Sequence, residues 1–215
     1  MRLGRPAGSA LVVAAALASA GAPTPAAAPA RAWEPPPANA KFDYQIGGDY
    51  PPPRAVRVVS RDWFLGAARG YSVCYVNAFQ TQDDEADVER PDERSAWPRD
   101  LVLRQPGDDP NWGGEYLVDI SKRSKRRRAA RHVQPMIETC ARKGFRAVEF
   151  DNLDSWTRFD ATPRAGEVPF EKPQAIAYAA LLADRAHALG LAVAQKNTPG
   201  LTRREHAGGS ASTSR

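Results

Sequence analysis

Lys143-Gly144-Phe145-Arg146-Ala147-Val148-Glu149-Phe150-Asp151-Asn152-Leu153-Asp154 is the stretch on which the fold turns. Upstream, from about Ser124 to Lys143, Val133, Met136, Ile137 and Cys140 recur at helical spacing, and Gly144 stands where a helix-terminating glycine belongs. Phe145–Asp151 then reads as a strand. The same order returns downstream. A helix is expected over Lys172–Leu189, with Ile176, Ala180, Leu181 and Ala183 apolar; Gly190 stops it and Leu191–Lys196 is a strand. Helix, glycine, strand, twice in succession, is the rhythm of a parallel sheet with helices outside.

Towards the N-terminus, Phe42–Ile46, Val56–Val59, Tyr71–Val76 and Tyr116–Ile120 supply four more strand candidates, six in all. Short strands with polar residues at their ends fit a (β/α)8 TIM-barrel architecture, in which chemistry gathers at the C-terminal ends of the strands. An open doubly wound sheet is the alternative. No Gly-x-Gly-x-x-Gly follows a strand, so its dinucleotide-binding form has no support.

The 215 residues, 42% of them hydrophobic and 26% charged, are enough for one folded domain with tails. Arg2 and Arg5 precede an apolar run, Ala10–Ala18, and Ala18-Ser19-Ala20 has the small-x-small form of a cleavage site. Residues 1–20 therefore read as a signal peptide, so the protein is expected to be secreted, with no stable membrane insertion after cleavage. Residues 21–40 are an Ala/Pro-rich linker, the domain spans 41–200, and 201–215 form a polar tail. The net charge of +5 is mild. The basic run Lys122–Arg128 lacks interleaved aromatics for base stacking, so it reads as a solvated helix face and nucleic acid is not expected as a partner. Cations at a helix N-terminus oppose the helix dipole, and nothing in the sequence explains their tolerance. His132, His187 and His206 show no metal-ligand spacing. Cys74 lies in a strand and Cys140 on an apolar helix face; buried thiols are the favoured reading, although export permits a disulfide if they meet.

Three carboxylates crowd into Glu149–Asp154 as a strand ends. With a period of two, Val148 and Phe150 face the helices and Glu149 and Asp151 face the barrel interior and its mouth. Like charges so close resist joint ionisation, which raises one carboxyl towards the range a general acid needs. A loop-starting cluster of capping residues is the plain alternative. Tyr44, Tyr75, Asn77, Asp119, Asn152, Lys196 and Asn197 also stand in or at the ends of strand candidates. Rings, amides and carboxylates on one rim suit a carbohydrate, with a polysaccharide as the expected partner.

In this setting, Cys74-Tyr75-Val76-Asn77-Ala78, Trp112-Gly113-Gly114-Glu115-Tyr116-Leu117-Val118-Asp119, the 143–154 stretch and Gly190-Leu191-Ala192-Val193-Ala194-Gln195-Lys196-Asn197 together resemble glycoside hydrolase family 114. The resemblance runs from about Phe42 to Asn197. It implies a TIM-barrel endo-α-1,4-polygalactosaminidase, secreted and working with neither metal nor organic cofactor. It makes Asp151 the best-matched catalytic carboxylate and lets Glu149, Asp119, Asp154, Lys196 and Asn197 line the sugar site. It also implies a seventh strand ending in a second catalytic Glu, then an eighth. Thr198-Pro199-Gly200-Leu201 and the polar tail offer no counterpart, so a barrel incomplete at its C-terminus is expected. Two readings follow: a glycosidase with Asp151 and Glu149 as its acids, or a non-catalytic carbohydrate-binding remnant.

Overall fold

The computed structural model describes residues 32–82, 97–199 and 201, so the expected signal peptide, most of the expected linker and residues 202–215 lie outside the described residues. Five strands, β1 (Lys41–Gln45), β2 (Val56–Asp62), β3 (Tyr71–Val76), β4 (Ala147–Phe150) and β5 (Ala192–Gln195), form one sheet in sequence order. Every neighbouring pair is parallel. Sequential parallel strands are how a (β/α) barrel wall is wound, whereas a doubly wound sheet reverses its order at a switch point. The fold is α/β, of the barrel type. Helix α1 (Arg123–Arg142) leads into β4 and α2 (Lys172–Ala188) into β5, as the two glycine-ended repeats require. Gly144 and Gly190 both take positive φ, 85° and 73°, which an L side chain would resist.

The sheet holds five strands where six were expected. β3 pairs directly with β4, Val73 opposite Ala147, leaving no room for Tyr116–Ile120 between them. That segment instead makes isolated antiparallel bridges, Leu117 to Gln80, Val118 to Val102 and Tyr116 to Asp108. Leu117, Val118 and Ile120 are fully buried all the same. The burial that made it look like a sheet strand comes from joining the main apolar core without entering the sheet.

Period two sorts the sheet into two faces. Cys74, Val76, Val148 and Phe150 turn towards the helices and join Val133, Ile137, Tyr178, Leu182 and Ala186 in one buried cluster. Each such side chain withdrawn from water contributes about 1.5–3 kcal/mol before entropy is counted. Tyr178 is wholly buried and donates its hydroxyl to Ala78 O at 3.1 Å, so the apolar layer holds no orphan there. The opposite face carries a smaller cluster of Val58, Tyr71, Val73, Ala147 and Ala192. Farther along the same rows come Tyr75 and Glu149, which are register partners.

The basic run is solvated at Lys122, Arg123, Arg127 and Arg128, which are exposed, but several of its cations are also engaged. Arg126 folds back to donate to Ile120 O at 2.8 Å and Ser121 O at 3.0 Å. Lys125 bonds Asp119, and Arg128 grips both oxygens of Asp100. Carbonyls and carboxylates ahead of α1 therefore neutralise the cations that its dipole disfavours. The end of the expected linker is also engaged. Trp33 stacks on His187 at 5.2 Å, the Tyr71 hydroxyl donates to Glu34 O at 2.6 Å, and Arg146 pairs with the Glu34 carboxylate. Tyr71 begins β3 and Arg146 precedes β4, so these contacts cover the N-terminal end of the sheet, away from the polar strand ends. Among the described residues no helix is long and apolar enough to cross a membrane.

Cys74 and Cys140 are joined in a disulfide, correcting the expectation of buried thiols. The physical reason is the sorting of faces: Cys74 points to the helix side of β3 and Cys140 lies on the apolar face of α1, so the two buried surfaces bring them together. The bond closes a separation of 66 residues. Chain-entropy arguments give such a loop about 4 kcal/mol. Replacing both cysteines with alanine should lower the unfolding free energy in urea by about 2–4 kcal/mol. An unchanged midpoint would show that the bond does not clamp α1 to the sheet.

Candidate active site

The C-terminal ends of β1, β3, β4 and β5 converge on Asp151. Its carboxylate is buried and follows β4 directly, its backbone N–H held by Val76 O at 3.0 Å. Tyr75 donates its hydroxyl to Oδ2 at 2.5 Å, Lys196 Nζ reaches the same oxygen at 3.1 Å, and the Asn152 N–H donates to Oδ1 at 2.8 Å. With its amide in the orientation that satisfies both of its atoms, Asn197 also donates to Oδ1, at 3.2 Å. Asn152 and Asn197 have φ of 63° and 66°, a left-handed conformation that asparagine tolerates better than most residues.

Lys196 does more than touch Asp151. Its Nζ donates to the Tyr44 hydroxyl at 2.6 Å and stands 4.0 Å from Glu149 Oε1. It also lies over the Tyr75 and Tyr44 rings, 4.8 and 5.0 Å from their centroids. Tyr44 in turn donates to Glu149 Oε1 at 2.9 Å. Burial pushes the Glu149 carboxyl above its usual range, against the opposing Tyr44 hydrogen bond and the Lys196 charge, and Asp151 adds to the rise. Burial likewise drives both phenols well above the usual tyrosine range, helped by Glu149 at Tyr44 and by Asp151 at Tyr75, so both remain donors.

Seven of the nine sequence-chosen residues besides Asp151 itself thus meet in one network: Glu149, Tyr44, Tyr75, Asn152, Lys196 and Asn197, with Asn77 joined through Asn152. The other two stand apart from it. Asp119 receives Lys125 and, at 2.6 Å, the Ser121 hydroxyl; burial raises its carboxyl, but these bonds outweigh it and the net shift is downward. Asp119 anchors the start of α1. Asp154 is held by Arg158 at 3.3 Å, one helical turn later.

Of a second polar layer, sequence reasoning had singled out only Asn77 and Asn152. Asn152 Nδ2 donates to Asn77 Oδ1 at 3.0 Å, and Asn77 Nδ2 donates to Glu115 Oε2 at 3.2 Å. Arg158 bonds Asn152 Oδ1 at 2.7 Å and pairs with the buried Asp109 at 3.1 Å, while Gln80 bonds Asp109 as well. Asn77 was expected at the rim from its place at a strand end. Arg158 and Asp109 lie in irregular segments with no periodic signal. Glu115 titrates unusually: burial, then Asp109 and Asp151, lift it from 4.5 to about 7, against the Asn77 hydrogen bond and the Arg158 charge. Among the described residues, no group of three or more His, Cys, Asp or Glu side chains is arranged to hold a metal ion.

A parallel barrel wall gathers polar residues at the C-terminal ends of its strands, and here those ends carry a buried, multiply bonded Asp beside a second carboxyl. The model of glycoside-hydrolase family GH114 matches residues 22–212, and the chain belongs to that family. Among solved structures, Ega3 of Aspergillus fumigatus, in complex with galactosamine, is similar at 18% identity with a TM-score of 0.56, over 78% of this chain and 62% of that one. The glycoside hydrolase domain of PelA from Pseudomonas aeruginosa is 15% identical with a TM-score of 0.47, over 80% of this chain and 64% of that one. This chain therefore spans under two thirds of the length of either. No curated protein matches it.

Glu115 and Glu149 both bind protons more tightly in the fold than an ordinary carboxyl does. Above the usual carboxylate range the folded state therefore holds protons that the unfolded state has lost, so both groups make stability fall as pH rises, Glu115 up to about pH 7. Urea unfolding across that range should show a shallower fall in Glu115→Gln than in the wild type. An identical slope in the two proteins would contradict the assignment.

Proposed function

We propose that the protein is a secreted glycoside hydrolase that cleaves α-1,4-linked galactosamine-type polysaccharide by carboxylate acid/base chemistry. The observation that carries this reading is Asp151: a buried carboxylate at a strand's C-terminal end, faced by a phenol, an ammonium and a backbone N–H. Cleaving a glycosidic bond builds positive charge on the sugar ring and needs a proton for the departing oxygen. Asp151 supplies the fixed negative charge for the first. Glu149, with its raised proton affinity, supplies the proton for the second; a water then adds its oxygen to the sugar carbon and gives its proton back to the Glu149 carboxylate, which completes the hydrolysis. Lys196 donates to Tyr44 and Tyr44 to Glu149, so a hydrogen-bonded path exists along which Glu149 can be reprotonated.

Membership of the family supports a carbohydrate substrate, and galactosamine bound to Ega3 supports the amino-sugar class. Secretion is supported by the signal-like residues 1–20 and by a disulfide of the kind that persists in oxidising compartments. A second reading, carbohydrate binding without cleavage, is favoured by one feature. Glu149 and Asp151 project from the same face of one strand towards one lysine, rather than from opposite walls of a cleft.

Release of reducing ends from an α-1,4-galactosamine polymer separates the two. Asp151→Asn should lower kcat by at least about a thousandfold, and Glu149→Gln by roughly 10²–10⁴. Polymer binding should survive in both. Wild-type protein that binds the polymer and releases nothing would leave only the binding role.

A further inference from the structure

Helix α1 buries one side and leaves the other to cations. Ala129, Ala130, Val133, Met136, Ile137 and Cys140 pack in the core against the sheet, so the opposite side points away from it. On that outer side Arg123, Arg127 and Arg131 follow one another at intervals of four, each about 6 Å further along the axis. All three are exposed. Arg142, three turns beyond Arg131, is exposed on the same side, so the row runs the length of the helix, about 28 Å. Lys125, Arg126 and Arg128 have oxygen partners. The guanidiniums of Arg123, Arg127 and Arg131 meet no hydrogen-bond or ion-pair partner among the described residues.

This row works against the helix that carries it. The first turn of α1 holds no acid, and its N-cap makes no side-chain hydrogen bond. Cations there oppose the helix dipole, and like charges four residues apart repel each other. Burial, and then the charge of Arg123, hold the Arg126 guanidinium below its usual value. Arginine cannot escape such repulsion by giving up a proton near neutral pH. Glu138 is the one acid of α1, and it accepts from Gln134 at 2.8 Å. None of the large exposed apolar side chains lies on α1, and no α1 residue lines either of two cavities found elsewhere in the fold. The face is therefore convex, polar and cationic along its whole length.

We propose that the arginine face of α1 is a docking surface for a lipid bilayer carrying anionic phosphate headgroups, which the protein touches without inserting. Charge complementarity carries the proposal: unpaired guanidiniums in a row recover at a negative surface the electrostatic energy that the isolated helix forgoes. Each planar fork matches two phosphate oxygens at once, as an ammonium does not. Shape selects the partner. A single polymer strand is held in a groove, and this face has none, whereas a convex helix meets a plane along its full length. Without an exposed apolar side chain on the face, contact is electrostatic, reversible and sensitive to salt. Asp151 stands at the strand ends with Glu149, on the side of the sheet away from α1, so docking leaves the candidate active site uncovered. The proposal goes beyond the glycosidase reading, and either can fail alone.

Co-sedimentation of the full chain with two kinds of vesicle tests this, phosphatidylglycerol mixed equally with phosphatidylcholine and phosphatidylcholine alone. Wild-type protein should prefer the anionic vesicles at about 0.1 M salt and lose the preference at about 1 M. Arg123→Gln, Arg127→Gln and Arg131→Gln combined should lower the partition coefficient about a hundredfold, and Arg127→Gln alone about fivefold. Arg54→Gln, Arg57→Gln and Arg69→Gln combined remove the same charge from exposed positions outside α1 and should change it no more than about threefold. The apolar run Ala10–Ala18 is common to every protein compared, so any lipid affinity of its own cancels from these ratios. Thermal melts check that each variant is folded, and the α1 triple should melt no lower than wild type because it relieves repulsion. Equal binding of both vesicles by wild type overturns the proposal. So do equal losses in the two triples, which assign the effect to net charge. Binding to soluble polyphosphate but to neither vesicle overturns it in favour of a polymer.

Discussion

One ammonium group holds the site together. Lys196 Nζ, just beyond β5, lies within 4.0 Å of Asp151 and Glu149 and donates to Tyr44 from β1. Two acidic side chains projecting from one face of one strand would repel each other in a partly buried setting. A single cation between them relieves that repulsion. Its approach over the faces of Tyr44 and Tyr75 adds cation–π attraction where water is scarce. The same contacts tie β1 to β5, the two edges of the described sheet, across its polar end.

The fold prepares this meeting through an asymmetry between the sheet's faces. Val148 and Phe150 face α1 and α2 in a dry layer that the Cys74–Cys140 bond clamps. Their neighbours Glu149 and Asp151 are thereby turned to the other side, beside Tyr75. Burying carboxylates costs several kcal/mol each unless donors replace the lost water. Here two phenols, an ammonium and a backbone amide do so. Around this centre, the layer of Asn77, Asn152, Arg158, Asp109 and Glu115 fixes the loop after β4.

Much of this arrangement was legible in the sequence, for identifiable reasons. Gly144 and Gly190 punctuate two helices whose apolar residues recur with a helical period, so both αβ repeats could be read within a residue or two of their bounds. Period two then placed Glu149 and Asp151 on one face. What a one-dimensional pattern lacks is adjacency. Tyr116–Ile120 carries a buried strand's composition, yet its partners lie outside the sheet. Cys74 and Cys140 were each read as buried, but their meeting depends on how α1 crosses β3. The tolerance of Lys125 and Arg126 at a helix start depends on carbonyls and a carboxylate folded under them. Lys196 was chosen as a sugar contact, while its position between two acids follows from strand order alone. Glu115 and Arg158 lie where no period applies, and only the folded turn gives them meaning.

The most direct test of the central claim concerns charge at Lys196. Carboxyl carbon NMR should follow the titration of Glu149 in the wild type and in Lys196→Met, which keeps the side chain's length and removes its charge. Loss of the ammonium should move the Glu149 midpoint to higher pH, because the Coulombic attraction that opposes burial is gone. An unchanged midpoint in a folded variant would mean that Lys196 does not hold the two acids together, and would contradict the account.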